Sequence, residues 1–321
     1  MPFWKNVSQI SQNSGFHSNI FMKNINAWIS AIRLRTLPLS ISGIIVAGCL
    51  AEYNGVFSWQ IFILAILATL SYQILSNLAN DYGDGVKGTD NNDRIGPKRA
   101  LQSGAISADE MFHAIKINIL ICIALTVALI FSAFGVENVL LTLLFFVLGV
   151  VSVVSAMRYT IGDKAYGYKG LGDVFVFVFF GLVSVIGCYT LFAKQIDHVT
   201  ILPALTIGLL SAGVLNLNNM RDINSDIKSN KITLAVKLGK NKAKQYHYFL
   251  VISAIVLSFI FGILYYVSPF NLIFFIAYIP LILHLKKVRN TIIPKDLDPE
   301  LKKLALSTVL LALLLGIGHL L

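Results

Sequence analysis

Charge is what this sequence lacks most. Only 13% of its 321 residues are Asp, Glu, Lys or Arg, while 56% are hydrophobic; a soluble domain carries about 25% charge. That deficit excludes an ordinary water-soluble globule and points to an integral membrane protein, whose partner is the lipid bilayer. Cysteine is scarce too. Cys49, Cys122 and Cys188 each fall inside an apolar run, which excludes a disulfide framework and any zinc-ligand spacing. The apolar runs show no period-two alternation, so a membrane β-barrel is excluded. Residues 1–21 lack the apolar core and small-residue cleavage site of a signal peptide and read as a polar, disordered extension ahead of a single domain over 22–321.

What the sequence has instead is long apolar runs. Nine are predicted to span the bilayer as helices: Leu37–Leu50, Trp59–Ala79, Met111–Phe134, Val139–Ala156, Val174–Ala193, Ile201–Met220, Tyr248–Val267, Phe270–Leu285 and Leu304–Leu321. Most approach the twenty or so residues that cross a hydrocarbon core of about 30 Å. The first is short unless Trp28–Ile32 begins it, and the eighth is short and contains Pro280. The expected fold class is therefore an all-α membrane protein of nine transmembrane helices.

The basic residues test that count. With nine spans, all but Lys116 and Lys194 of the 26 Lys and Arg fall on one face, and the positive-inside rule makes that face cytoplasmic. The N-terminus is then cytoplasmic, the C-terminus lies on the opposite side, and the location is the cell (inner) membrane. Topology accounts for the net charge of +10, and nothing requires a nucleic acid.

Two polar stretches break the apolar pattern on the basic face. The second run is followed by 80-NDYGDGVKGTDNNDRIGPKRALQSG-104, the sixth by 216-NLNNMRDINSDIKSNKITLAVKLG-239. In the second stretch Asn218, Asp222 and Asp226 are spaced by four, a spacing that stacks side chains on one helical face. Setting Asn80 on Asn218 superimposes Asp84 on Asp222 and puts Gly88 where Asp226 stands. The clusters suggest two pseudo-repeated four-helix halves followed by a ninth helix. A single cluster of this kind is most often a solvated loop; two in the same register on one face are not. The stretch from Asp81 also superficially resembles a calcium loop, but its twelfth position is Asn92 rather than Glu.

Clustered carboxylates beside a membrane need a wet cavity or a cation. Mg²⁺ takes oxygen ligands and commonly bridges one or two carboxylates to substrate phosphates. Two acidic clusters facing each other would hold Mg²⁺ on a diphosphate, with Lys and Arg neutralising the remaining charge. An apolar chamber between the helices would take the lipid tail of a prenyl diphosphate.

These two stretches, with 166-YGYKGLGDVFVFVFFG-181, resemble the signatures of the UbiA superfamily of intramembrane aromatic prenyltransferases, most closely its naphthoate branch. The likeness runs from about Ala31 to the end. It implies nine helices around a central cavity and transfer of a polyprenyl group from polyprenyl diphosphate to 1,4-dihydroxy-2-naphthoate. Carbon dioxide and diphosphate would be lost and demethylmenaquinone formed, a step of menaquinone synthesis requiring Mg²⁺. It also implies the site residues. Asp84, Asp222 and Asp226 would hold metal with Asp81 or Asp90, one of which replaces the acid missing at Gly88. Asn80, Asn218, Arg33, Lys169 and Lys231 would contact the diphosphate, with Asp84, Asp222 and Lys169 catalytic.

Other candidates are weaker. Lys87, Arg94, Lys98, Arg99, Arg158, Lys164 and Lys228 would touch phosphate or simply mark topology. Asp173 would orient Lys169 or cap a helix, and Tyr82, Tyr166 and Tyr168 would steady a cation or sit at the interface. Phe175, Phe177, Phe179 and Phe180 spread around a helix and read as lipid contact and packing rather than a tail-specific groove. No histidine lies in either motif. Two readings compete: 4-hydroxybenzoate or another aromatic acceptor within the same chemistry, and a transporter with paired helix breaks. The motif acids sit at one face rather than at mid-bilayer, which disfavours the transporter.

Overall fold

The computed structural model describes residues 25–91 and 95–321. The polar segment 1–21 and the candidate Arg94 lie outside the described residues. Among those residues there are nine helical segments long and apolar enough to cross a membrane: α1 Ile25–Tyr53, α2 Trp59–Val86, α3 Ala108–Phe134, α4 Val139–Arg158, α5 Gly172–Ala193, α6 His198–Lys228, α7 Leu234–Leu264, α8 Pro269–Asn290 and α9 Pro294–Leu320.

Nearly every helix outruns the apolar stretch that predicts it, and the surplus lies mostly at the basic ends. The apolar run marks the hydrocarbon core, while the helix continues as long as its own hydrogen bonds and caps allow. Thus α2 runs to Val86 and α6 to Lys228, carrying both acidic motifs on helix. Helix α3 starts early because Ser107 and Glu110 form a reciprocal capping box. The start of α7 is capped by Thr233, and it kinks at Gly239, whose φ of 74° only glycine adopts cheaply.

Two helices depart from simple geometry. In α1 the chain turns at Arg33, a left-handed residue with φ 57°. Asn77 of α2 pins that turn by donating to the Ile32 carbonyl at 2.7 Å and to Thr36 Oγ1 at 3.2 Å. In α5 the stretch Phe177–Gly187 is π-helix, whose wider turn shifts side chains around the axis. Three of the four phenylalanines, Phe175 just before this stretch and Phe179 and Phe180 within it, line the interior cavity rather than only packing or meeting lipid, while Phe177 does not, and Tyr166 stacks on Phe175 with ring centroids 3.9 Å apart.

Helix α6 is the most enclosed, packed against α5, α7 and α9; α9 packs in turn on α1 and α8, and α2 on α3 and α4. The main apolar core joins α1, α5, α6, α7 and α9. Between the two helix groups lies a cavity of about 790 Å³.

Candidate active site

Helix α2 ends at the cavity mouth by a backbone device. Lys87 and Gly88 donate their N–H groups to Gly83 and Gly85, and Gly88 adopts φ 71°. The chain then doubles back, so that Thr89 and Asp90 both donate N–H groups to the Asp84 carbonyl. A left-handed position favours glycine over any residue with a Cβ, which explains why the motif has no acid at 88. Asp90 lines the cavity beside Arg99 Nε at 3.8 Å. Asp81 faces the other way: it is buried off the cavity and accepts the Ala100 N–H at 3.2 Å. Of the two acids open as substitutes, the cavity-lining one is Asp90.

Asp84 is buried and doubly engaged. It accepts from the Tyr168 hydroxyl at 2.8 Å and from Lys231 Nζ at 2.9 Å. The Tyr168 hydroxyl also meets Thr89 Oγ1 at 2.5 Å, and Lys87 Nζ sits 4.3 Å from the Tyr168 ring centroid. Burial and the nearby Asp84 charge push the Tyr168 phenol up, so it remains a donor. Burial alone would push Lys231 down, but Asp84 and Asp226 outweigh it and its pKa rises above the ordinary lysine value. Asn80 lines the cavity, its Oδ1 3.5 Å from Thr160 Oγ1. Gly83 permits that approach, because a Cβ there would meet the Thr160 backbone carbon at 2.9 Å.

The second motif stays helical through Asp226. Asn218, Asp222 and Asp226 form one stripe on the cavity wall, joined by Asn219. Between them, Arg221 has no exposed surface. Its Nε and Nη2 donate to the two Asp222 oxygens at 2.9 and 2.6 Å, Nη2 also donates to Asn218 Oδ1 at 2.9 Å, and Nη1 engages Asp298 of α9. Just beyond, the Lys231 N–H bonds the Asp226 carbonyl at 2.8 Å. That turn sends the Lys231 side chain across to Asp84.

The same cavity therefore receives Arg33, Asn80, Asp84 and Asp90 from one side and Asn218, Asp222, Asp226 and Lys231 from the other. Tyr159 stands with them, and the wall beyond is apolar, with Leu39, Ile44, Leu129, Phe145 and Val183. The donor set is oxygen throughout, which fits Mg²⁺ rather than a softer metal. Among the described residues no three acidic, His or Cys side chains form a ready cage for an ion. That suits a cation held by one or two carboxylates and completed by phosphate and water.

Lys169 does not join this group. It is exposed and off the cavity; its short 3₁₀ turn directs Tyr168 inward to Asp84 instead, and its carbonyl accepts from Lys237 Nζ at 2.6 Å. Asp173 neither caps its helix nor bonds Lys169: it is buried, and both carboxylate oxygens lack a hydrogen-bond partner. Lys98, Arg158, Lys164 and Lys228 do not line the cavity, while Arg99 and Tyr166 do. Sequence reasoning missed Arg221, Asp298 and Tyr159. The signal for Arg221 was its position inside the Asn-x-x-x-Asp motif, directly before Asp222; Asp298 gave none, since only folding brings α9 to it.

Residues 41–316 match the UbiA prenyltransferase family. The 1,4-dihydroxy-2-naphthoate octaprenyltransferase of Escherichia coli is 40% identical over 91% of this chain and 94% of its own. The protein of the same description from Haemophilus influenzae is 38% identical over 92% and 96%. In fold, the chain resembles a UbiA homolog from Archaeoglobus fulgidus solved with DMAPP and Mg²⁺, with a TM-score of 0.65 and 14% identity, covering 92% of this chain and 99% of that one.

Proposed function

Because the chain belongs to the UbiA prenyltransferase family, we propose that it transfers a polyprenyl group from polyprenyl diphosphate to 1,4-dihydroxy-2-naphthoate, giving carbon dioxide, diphosphate and the quinol form of demethylmenaquinone, since the acceptor is a hydroquinone and the step includes no oxidant. The relatives sharing 38% to 40% of its residues carry this acceptor in their names, with an octaprenyl donor. The observation that carries the reading is the meeting of two acidic motifs, 138 residues apart in sequence, at the mouth of a single apolar cavity.

The anionic diphosphate is drawn to a mouth carrying Arg33, Arg99 and Lys231. Asp84, Asp90, Asp222 and Asp226, with Asn80 and Asn218, would hold Mg²⁺, any one ion resting on one or two of these carboxylates, and Mg²⁺ would supply charge neutralisation to the leaving diphosphate. Lys231 adds its ammonium to the same oxygens. As the allylic carbon–oxygen bond breaks, its electron pair leaves with the diphosphate. The ring carbon bearing the carboxylate bonds the allylic carbon, and the carbon–carboxylate pair returns to the ring as carbon dioxide departs. The apolar wall of Phe145, Phe175 and Phe179 excludes water that would trap the allylic carbon as an alcohol. The basic face is cytoplasmic by the positive-inside rule, so the site opens to the cytoplasm.

Purified protein supplied with Mg²⁺ and labelled octaprenyl diphosphate should prenylate dihydroxynaphthoate and release diphosphate, and a chelator should stop both. Product from 4-hydroxybenzoate alone would overturn the acceptor assignment. Neither product nor diphosphate release would return the chain to the transporter reading.

A further inference from the structure

A second buried polar network lies behind the cavity wall and reaches it only through Lys303. His247 of α7, His284 of α8 and Glu300 of α9 are all within 1% of complete burial. The two His Nε2 atoms are 2.8 Å apart, His284 Nδ1 is 2.8 Å from Glu300 Oε2, and Lys303 Nζ is 2.6 Å from Glu300 Oε1. A carboxylate only accepts, so His284 Nδ1 carries a proton, and a neutral His284 then accepts at Nε2 from His247 Nε2–H. Burying three titratable side chains in this way is costly unless they are paired, and the prenyl-transfer chemistry uses none of them.

What the network holds is the turn of α9 that begins at Asp298. Glu300 sits two residues after Asp298, and Asp298 is the partner of Arg221 Nη1. Arg221 is thus shared between two carboxylates, Asp222 and Asp298. With that sharing, Asp222 is only partly neutralised and keeps negative charge for a cation. If that turn of α9 moves away, the whole guanidinium charge falls on Asp222.

We propose that His284, backed by His247 and acting through Glu300, is a positioning residue that seats Asp298 on Arg221 and so sets the Mg²⁺ affinity of Asp222. The inference rests on the metal site assigned above. Residues outside the first ligand shell commonly change metal affinity by about 10- to 100-fold, and here the lower end applies because two elements intervene.

The test is calorimetric titration of the purified full chain with Mg²⁺ in the presence of inorganic diphosphate, alongside its melting temperature in chelator. His284→Leu and Glu300→Gln should each weaken Mg²⁺ binding by about tenfold. His284→Asn places a carboxamide N–H near the Nδ1 position and should recover most of the loss. Combining Glu300→Gln with Asp298→Asn should weaken binding no more than Asp298→Asn alone, since both act on one contact. Lowered melting temperatures with unchanged Mg²⁺ affinity would reduce the network to packing and overturn the proposal. The control Asp222→Asn separates the two layers. If it abolishes Mg²⁺ binding while Glu300→Gln leaves it untouched, only the positioning role fails; if it changes nothing, the metal site fails and the positioning role with it.

Discussion

The two acidic rims begin with the same Asn-x-x-x-Asp spacing and are finished differently. At the end of α2 the helix stops at Gly88, and Asp84 takes its counter-charge from far away: Tyr168 lies 84 residues on and Lys231 147. At the end of α6 the helix continues, and Asp222 is clamped by its own neighbour, Arg221. One rim is satisfied across the cavity and the other within its own helix. Lys231 is therefore the residue joining the two, leaving the turn that follows Asp226 and reaching Asp84. The contrast shows that a shared spacing sets which carboxylates face a cavity, whereas their electrostatic partners are chosen by the loops that follow.

The largest effects should come from removing the carboxylates the rims have in common. Asp84→Ala and Asp222→Ala should each lower turnover by about 10³-fold, the scale on which loss of one preorganised charge-stabilising group is felt. Their other consequences should differ. Asp84→Ala leaves Lys231 buried without its main partner, whereas Asp222→Ala leaves Arg221 still engaged by Asp298 and Asn218. Only the first should depress the melting temperature in chelator by several degrees. Equal destabilisation would erase the distinction drawn between the rims.

Lys231→Met sharpens the same point. Removing one partner of a buried ion pair costs about 3 kcal/mol, because Asp84 is left as an uncompensated charge. The metal-free protein should lose stability, and added Mg²⁺, a replacement cation, should restore much of it. Wild-type stability should respond far less to Mg²⁺. A melting temperature equally insensitive to Mg²⁺ in both would show that Lys231 does not bridge the rims.

How far the sequence reached follows from the same residues. Nine spans, one basic face and the stripe Asn218, Asp222 and Asp226 are properties of local pattern, and apolar length and i, i+4 spacing report them directly. Asp81 and Lys169 mislead because spacing does not say which side of a helix terminus faces a cavity: the former turns to the Ala100 amide, and the latter is displaced by one residue in favour of Tyr168. Of the α5 phenylalanines, Phe179 and Phe180 lie in a π-helical stretch that breaks the 3.6-residue period, whereas Phe175 precedes it and faces the cavity because Tyr166 packs on it. Asp298 joins the site from 77 residues beyond Arg221, a contact that only packing creates.

A smaller effect separates the two acids near the first rim. Asp90→Asn should weaken Mg²⁺ binding by about tenfold with little change in melting temperature. Asp81→Asn keeps an acceptor for the Ala100 N–H and should leave both nearly unchanged, while Asp81→Ala should cost about 1 kcal/mol through that lost hydrogen bond. The reverse pattern, with Asp81→Asn weakening Mg²⁺, would exchange their roles.

The smallest effect is the most direct test of why the rims diverge. Gly88→Asp restores the acid that the second rim carries as Asp226, and a Cβ at 88 meets nothing within 4 Å. Space is therefore not the obstacle; the left-handed backbone is, at about 1 kcal/mol for a residue with a side chain. Gly88→Asn should cost less than Gly88→Asp or Gly88→Ala, since Asn tolerates that conformation. All three should lower the melting temperature slightly, and Gly88→Asp should not tighten Mg²⁺ binding, because the reversed turn already delivers Asp90 to the cavity. A tighter Mg²⁺ isotherm for Gly88→Asp would mean that the first rim lacks an acid after all, and that its turn serves the loop rather than the metal.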